Sequence, residues 1–167
     1  LGIGANTAIF SLLNGLILRP LPVRGPASLV HVTDSVRREN GETRVRVWSY
    51  PVWQQIALRR DLFESATAWS FARFDASTTT EAQLVDGLWA DGSFFDTLGV
   101  RAALGRTFSM RDDNRGGGPD GPVTVISHNC WERQFGRDPT VIGRAVRLNQ
   151  VLFTIVGVTE PDFSGPE

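Results

Sequence analysis

Lysine is absent: all 17 basic residues are arginine, set against 18 acidic ones for a net charge of −1. Without an amine, a phosphate-binding P-loop, a kinase strand lysine, Schiff-base chemistry and Ser-Lys catalysis are all excluded. Cysteine occurs once, as Cys130, so the chain closes no internal disulfide and builds no thiolate metal site, and cysteine usage says nothing of its compartment. Histidine is limited to His31 and His128, with no H-x-x-x-H spacing to supply a zinc site. Neither sign of charge dominates, which leaves no field to hold a polyanion and argues against a nucleic-acid partner. There is no internal repeat, and a start at Leu1 in place of Met reads as a fragment. What is present is 167 residues, 41% hydrophobic and 10% aromatic, with five Trp and ten Phe. That is enough apolar surface to offset the chain entropy of one domain.

The first 18 residues, LGIGANTAIFSLLNGLIL, carry no charge and stop at Arg19-Pro20-Leu21-Pro22. As a helix they span roughly 27 Å, close to a bilayer's hydrocarbon thickness. Gly4, Ala8, Ser11 and Gly15 fall at i, i+4, i+7 and i+11, a face of small residues that lets another helix approach closely. Thr7 and Asn14 run beside that face as hydrogen-bonding groups, and Arg19 with the two prolines ends the helix. A transmembrane helix over 1–19 is the expectation. A core helix of a soluble domain competes with it. A signal peptide lacks its basic start and cleavage site, and a dinucleotide loop at Gly2-Ile3-Gly4 lacks the third glycine and a preceding strand.

Beyond residue 20 the patterning predicts an α+β domain of antiparallel or mixed sheet with short helices, in the order β-β-α-β-β-α-β-α-β-β. Residues 29–33 and 44–48 read as strands around a polar turn. Ser49 and Pro51 open a helix through residue 60 with Trp53, Ile56 and Ala57 on one face. Residues 65–74 and 83–89 read as strands. Ser93 to Asp96 has capping-box spacing, and Gly99-Val100 gives a Schellman-type stop. Residues 111–122 read as a flexible loop, 123–126 as a strand, and Ser127 as the cap of a helix ended by Gly136. Residues 144–148 and 151–158 form a hairpin around Asn149-Gln150.

Catalytic chemistry finds little support. Ser127 and His128 are helical neighbours that point apart, and no G-x-S-x-G elbow is present. Counted from Asp112, the acidic loop places Asn114 at the third calcium-ligand position, but Gly116 and Val123 stand where oxygen ligands are needed. Glu81 and Asp86 would serve glycoside hydrolysis only if they faced each other across a cleft. Arg37, Arg38, Arg44 and Arg46 read as a solvated strand face, with phosphate or lipid-headgroup contact as the alternative, and the aromatic residues read as core. No catalytic residue, cofactor or metal ligand is expected, so the chain reads as non-enzymatic.

Several stretches, in order, carry a resemblance: GIGANTAIF at 2–10, LRPLP at 18–22, SYP at 49–51, FFDTLGV at 94–100 and ALGRTF at 103–108. They continue with VIS at 125–127, WERQFG at 131–136, IGR at 142–144, Leu148-Asn149 and FTIVGV at 153–158. In this order and spacing the chain resembles the MacB-like and FtsX-like permease subunits of ABC transporters, of the duplicated orphan type. Gln150 stands where that family often has Gly, and Cys130 where it more often has a bulky or polar residue. The resemblance implies that 1–19 is the end of the first transmembrane helix, in the inner membrane. It implies that 20–167 is the N-terminal part of the extracytoplasmic, porter-like core domain. The implied partners are a separate cytoplasmic ATPase subunit, other permease helices or a second permease copy, a periplasmic adaptor protein and the lipid bilayer. The implied role is efflux or mechanotransmission, with the outer domain coupling ATPase-driven helix motion to substrate handling or docking. The alternative is a soluble sensory or substrate-binding α/β module, which a hydrophobic pocket with convergent polar groups would favour. A hydrolase would need a Ser-His-carboxylate constellation in space.

Overall fold

One strand, β8 (Val151–Thr159), organises the chain, and residues 155–159 of it are all buried. The computed structural model describes residues 23–37, 41, 43–46, 48–76 and 83–166. Among them run β1 (Asp34–Arg37), β2 (Thr43–Arg46), α1 (Tyr50–Ala57), β3 (Trp69–Asp75), β4 (Leu84–Ala90) and α2 (Phe94–Leu98). Then follow β5 (Ala102–Gly105), β6 (Val123–Ile126), α3 (His128–Phe135) and β7 (Ala145–Leu148), with 3-10 turns at Pro26–Ser28 and Pro139–Val141.

β8 pairs in parallel with β6 and antiparallel with both β7 and β5. β6 overlaps both of the others along β8, so it takes one edge while β7 and β5 share the other end to end. The register with β6 steps from Thr124↔Ile155 to Val125↔Gly157, leaving Val156 as a bulge. The opposite edge changes hands at the same point: Ile155 N–H donates to Arg144 O (2.9 Å), while Arg106 N–H donates to Val156 O (2.8 Å). Gly157 is required here, because a Cβ would lie 2.0 Å from Arg106 O.

Both faces of the sheet are covered along residues 155–159 of β8, which is why the end of that strand reads as a continuous apolar run. On one side Phe94, Phe95, Leu98, Val100 and Phe163 form a buried cluster joined by Val125. On the other, Val141, Ile155 and Val158 pack with Ile126, Trp131 and Phe135. The β3–β4 hairpin is a separate two-stranded sheet in the register Trp69↔Ala90 to Asp75↔Leu84. Its Trp69, Leu88 and Ala90 pack on the first cluster. On its other face Phe74 meets Trp89 edge-on at 5.0 Å, and Trp89 tilts onto Phe153 at 6.1 Å. The α+β class holds, as a mixed four-stranded sheet with two antiparallel hairpins and short helices.

Local expectations differ from this in five places. Residues 29–33 are extended but outside any strand, and the first hairpin forms from β1 and β2 instead. That pairing closes the loop 38–42 in place of 34–43, at lower closure entropy. Trp48, expected in the second strand, instead donates its Nε1–H to Val32 O at 3.1 Å. Helix α1 stops at Ala57, with Trp53, Ile56 and Ala57 as its half-buried face. β5 was not legible at all, since Ala-Ala-Leu-Gly has little intrinsic strand preference and pairs because β8 presents an open edge. Ser93 makes no cap bond to α2; its hydroxyl donates to Ala66 O, and it is the Asp91 carboxylate that accepts from Ser93 N–H at 3.2 Å. The Schellman end is present: Val100 N–H donates to Phe95 O and Gly99 N–H to Asp96 O, with Gly99 left-handed at φ 69°. Ser127 accepts from Cys130 N–H as the cap of α3.

Candidate functional site

The described chain enters at Val23, which packs on the cluster around Phe94. The next residue, Arg24, donates its backbone N–H to Leu98 O at 2.7 Å, adding a cap to the carbonyl end of α2. The segment arriving from residue 22 is therefore fastened directly to the core. Gly4, Ala8, Ser11 and Gly15, the expected helix-packing face, lie outside the described residues. Among the described residues no helix is long and apolar enough to cross a membrane.

Beside that junction lies an open groove of about 510 Å³ lined by Arg24, Arg101, Arg106, Asp96 and Thr107, with Phe95 and Val100 beneath. The Arg24 side chain lies along Gly99, where a Cβ would come 2.6 Å from Arg24 Cβ and 3.2 Å from its Nε. Arg106 belongs to the same lining. Its guanidinium forks onto Asp112 with two bonds of 2.9 Å and reaches Asp120 at 3.2 Å. The Asp112 side chain is only 5% exposed and also accepts from Ser109 N–H at 2.9 Å. The Arg106 guanidinium, aided by the Ser109 N–H, holds the Asp112 carboxyl below the usual carboxylate range against the opposing effect of burial.

This clasp changes the reading of the acidic loop. Asp112 is held by Arg106, and Asp113 accepts from Gly92 N–H at 2.9 Å, so both carboxylates tie the loop to the body of the domain. Among the described residues no three His, Cys, Asp or Glu side chains gather to hold a metal.

The other candidates are dispersed. His128 stands edge-on to Trp131 at 5.5 Å, and His31 stacks on Trp69 at 5.7 Å. Asp86 pairs with Arg73 across the β3–β4 hairpin, with both side chains exposed, and Glu81 lies outside the described residues. Burial pushes the Cys130 thiol up, so it is held as a thiol away from nucleophilic chemistry. Sequence reasoning missed the groove. Arg24, shortly after the LRPLP stop, was its only local cue, because Arg101 and Arg106 join it only through the fold.

The extracellular domain of the noncanonic ABC-type transporter YknZ from Gram-positive bacteria matches with 19% identity and a TM-score of 0.45, over 56% of this chain and 48% of that one. The periplasmic region of MacB from Actinobacillus actinomycetemcomitans matches with 17% identity and a TM-score of 0.43, over 57% of this chain and 44% of that one. The chain thus spans about half the length of these solved relatives. No curated protein matches it. The family model described as the MacB-like periplasmic core domain, however, matches residues 1–167, the whole chain, and the chain belongs to that family.

Proposed function

We propose that the chain is the opening part of an ABC-type permease subunit, with 1–19 ending the first transmembrane helix and 20–167 beginning the extracytoplasmic core domain. The observation that carries this reading is the full-length family match, which takes in the charge-free opening as well as the folded remainder. The role is coupling, with no bond chemistry in this chain. A separate cytoplasmic ATPase moves the membrane helices. Gly4, Ala8, Ser11 and Gly15 let the first helix slide against sister helices or a second permease copy. The motion passes through Pro20 and Pro22 into Val23 and Arg24, which are packed and hydrogen-bonded onto α2. The outer domain then handles substrate or docks a periplasmic adaptor.

Two measurements test this. Residues 23–167 and residues 1–167 are compared for solubility without detergent; only the shorter form is expected to stay in solution, and equal solubility would count against a membrane segment. In the full permease with its ATPase, two glycines inserted between Pro22 and Val23 are expected to lower transport while ATP hydrolysis continues. Unchanged transport would remove this junction from the coupling path.

A further inference from the structure

Three arginines line the groove beside α2, and among the described residues only Arg106 has a carboxylate partner. Arg106 is held by Asp112 and Asp120. Arg24 and Arg101 have no carboxylate partner among the described residues, and the Thr107 hydroxyl, in the same lining, has no hydrogen-bond partner there. The groove's volume is within the range of small-ligand sites. Two guanidinium groups and a hydroxyl over a partly apolar floor suit a phosphate oxygen set, since guanidinium binds phosphate through paired charge-assisted bonds. Asp96 contributes a carboxylate to the same lining, which disfavours a multiply charged anion and offers a partner for an amine near the phosphate.

We propose that the groove between Arg24 and Arg101 binds a phosphate group carrying a nearby amine, of the phosphoethanolamine class, with a lipid headgroup as its source. The choice of a lipid source rests on the membrane reading above. Arg24 follows Arg19 by five residues, at most about 18 Å of extended chain, so the groove must lie close to the surface from which the first helix emerges. The phosphate site itself depends only on the groove. Occupancy would fix the end of α2 relative to the headgroup layer at the point where the chain leaves the membrane.

The test uses residues 1–167 in uncharged detergent micelles, titrated with water-soluble glycerophosphoethanolamine and, separately, inorganic phosphate. The readout is the backbone amide shifts of Gly99, Arg101 and Thr107. Saturable shifts are expected, tighter for glycerophosphoethanolamine by about threefold, as for a partly exposed charge pair. Arg24→Gln or Arg101→Gln should each weaken binding about tenfold, the worth of one charge-assisted hydrogen bond. Asp96→Asn should abolish the preference over inorganic phosphate. Arg24 serves the fold through its backbone and Arg101 is exposed, so unchanged amide dispersion in both variants confirms folding. No saturable shift, or shifts that persist in the Arg24→Gln/Arg101→Gln double variant, would overturn the site. Inorganic phosphate binding as tightly as the headgroup would overturn the lipid source. Flotation with phosphatidylethanolamine vesicles separates the two readings: a chain that binds the soluble headgroup but does not float keeps the site and loses the membrane.

Discussion

Asp75 and Asn149 exchange two hydrogen bonds across the molecule: Asp75 N–H donates to Asn149 Oδ1 and Asn149 N–H donates to Asp75 O, each at 2.8 Å. This pair joins the end of β3 to the turn between β7 and β8, so the peripheral hairpin is tied to the central sheet at its far end as well as through Trp89 and Phe153. Asn149→Gly keeps a residue at ease with the observed φ of 48° and removes only the side-chain acceptor. The Asp75 amide should then exchange with solvent about tenfold faster, and unfolding stability should fall by about 1 kcal/mol. Unaltered exchange at Asp75 would mean the tie contributes nothing.

Gln150, next in the same turn, sits at φ 67°, so both central residues are left-handed, as in a type I′ hairpin. A side chain with a Cβ pays a steric cost of about 1 kcal/mol there that glycine avoids. Gln150→Gly should therefore raise stability by about 0.5–1 kcal/mol, seen as a higher urea midpoint at constant m. A lower midpoint would show that Gln150 makes compensating contacts.

Much of the fold could be read locally. β6, the Ser127 cap, α3 with its Gly136 stop, the β7–β8 hairpin and the Gly99 end of α2 each follow from a signal within a few residues. The failures share a cause: whether a segment pairs depends on which edge is free. Residues 29–33 have strand chemistry but no ladder, while Ala102–Gly105 has little strand chemistry and lies beside β8. The groove was hidden for the same reason, since Arg24 and Arg101 become neighbours only when the incoming chain is fastened onto α2. The small-residue face at Gly4, Ala8, Ser11 and Gly15 lies outside the described residues and stands as a proposal.

Cys130 lies half-buried in α3, where burial raises its pKa above the ordinary thiol value. Since the thiolate is the reactive form, a disulfide reagent at pH 8 should modify the native chain at least about tenfold more slowly than the urea-unfolded chain. Equal rates would mean that the helix opens readily around this position.

The Arg106–Asp112 clasp gives stability a defined pH dependence. Asp112 has a folded pKa below its unfolded value of about 3.9, so its contribution is fully present above that value and is lost as pH falls through the lower, folded one. At pH 7, Asp112→Asn should cost about 1–2 kcal/mol, less than a fully buried broken pair because the Arg106 side chain is 44% exposed. The Asp61 and Asp138 carboxyls are also held below their ordinary range, by the Arg59 guanidinium and by the Thr140 hydroxyl and N–H respectively. They add an acid dependence that wild type and variant share. The difference between the two proteins therefore isolates Asp112. Urea midpoints taken from pH 7 to pH 2.5 should show a gap that is constant above about pH 5 and narrows as Asp112 protonates. A gap that stays constant to the lowest pH would mean the fork between Arg106 and Asp112 is not what holds the loop.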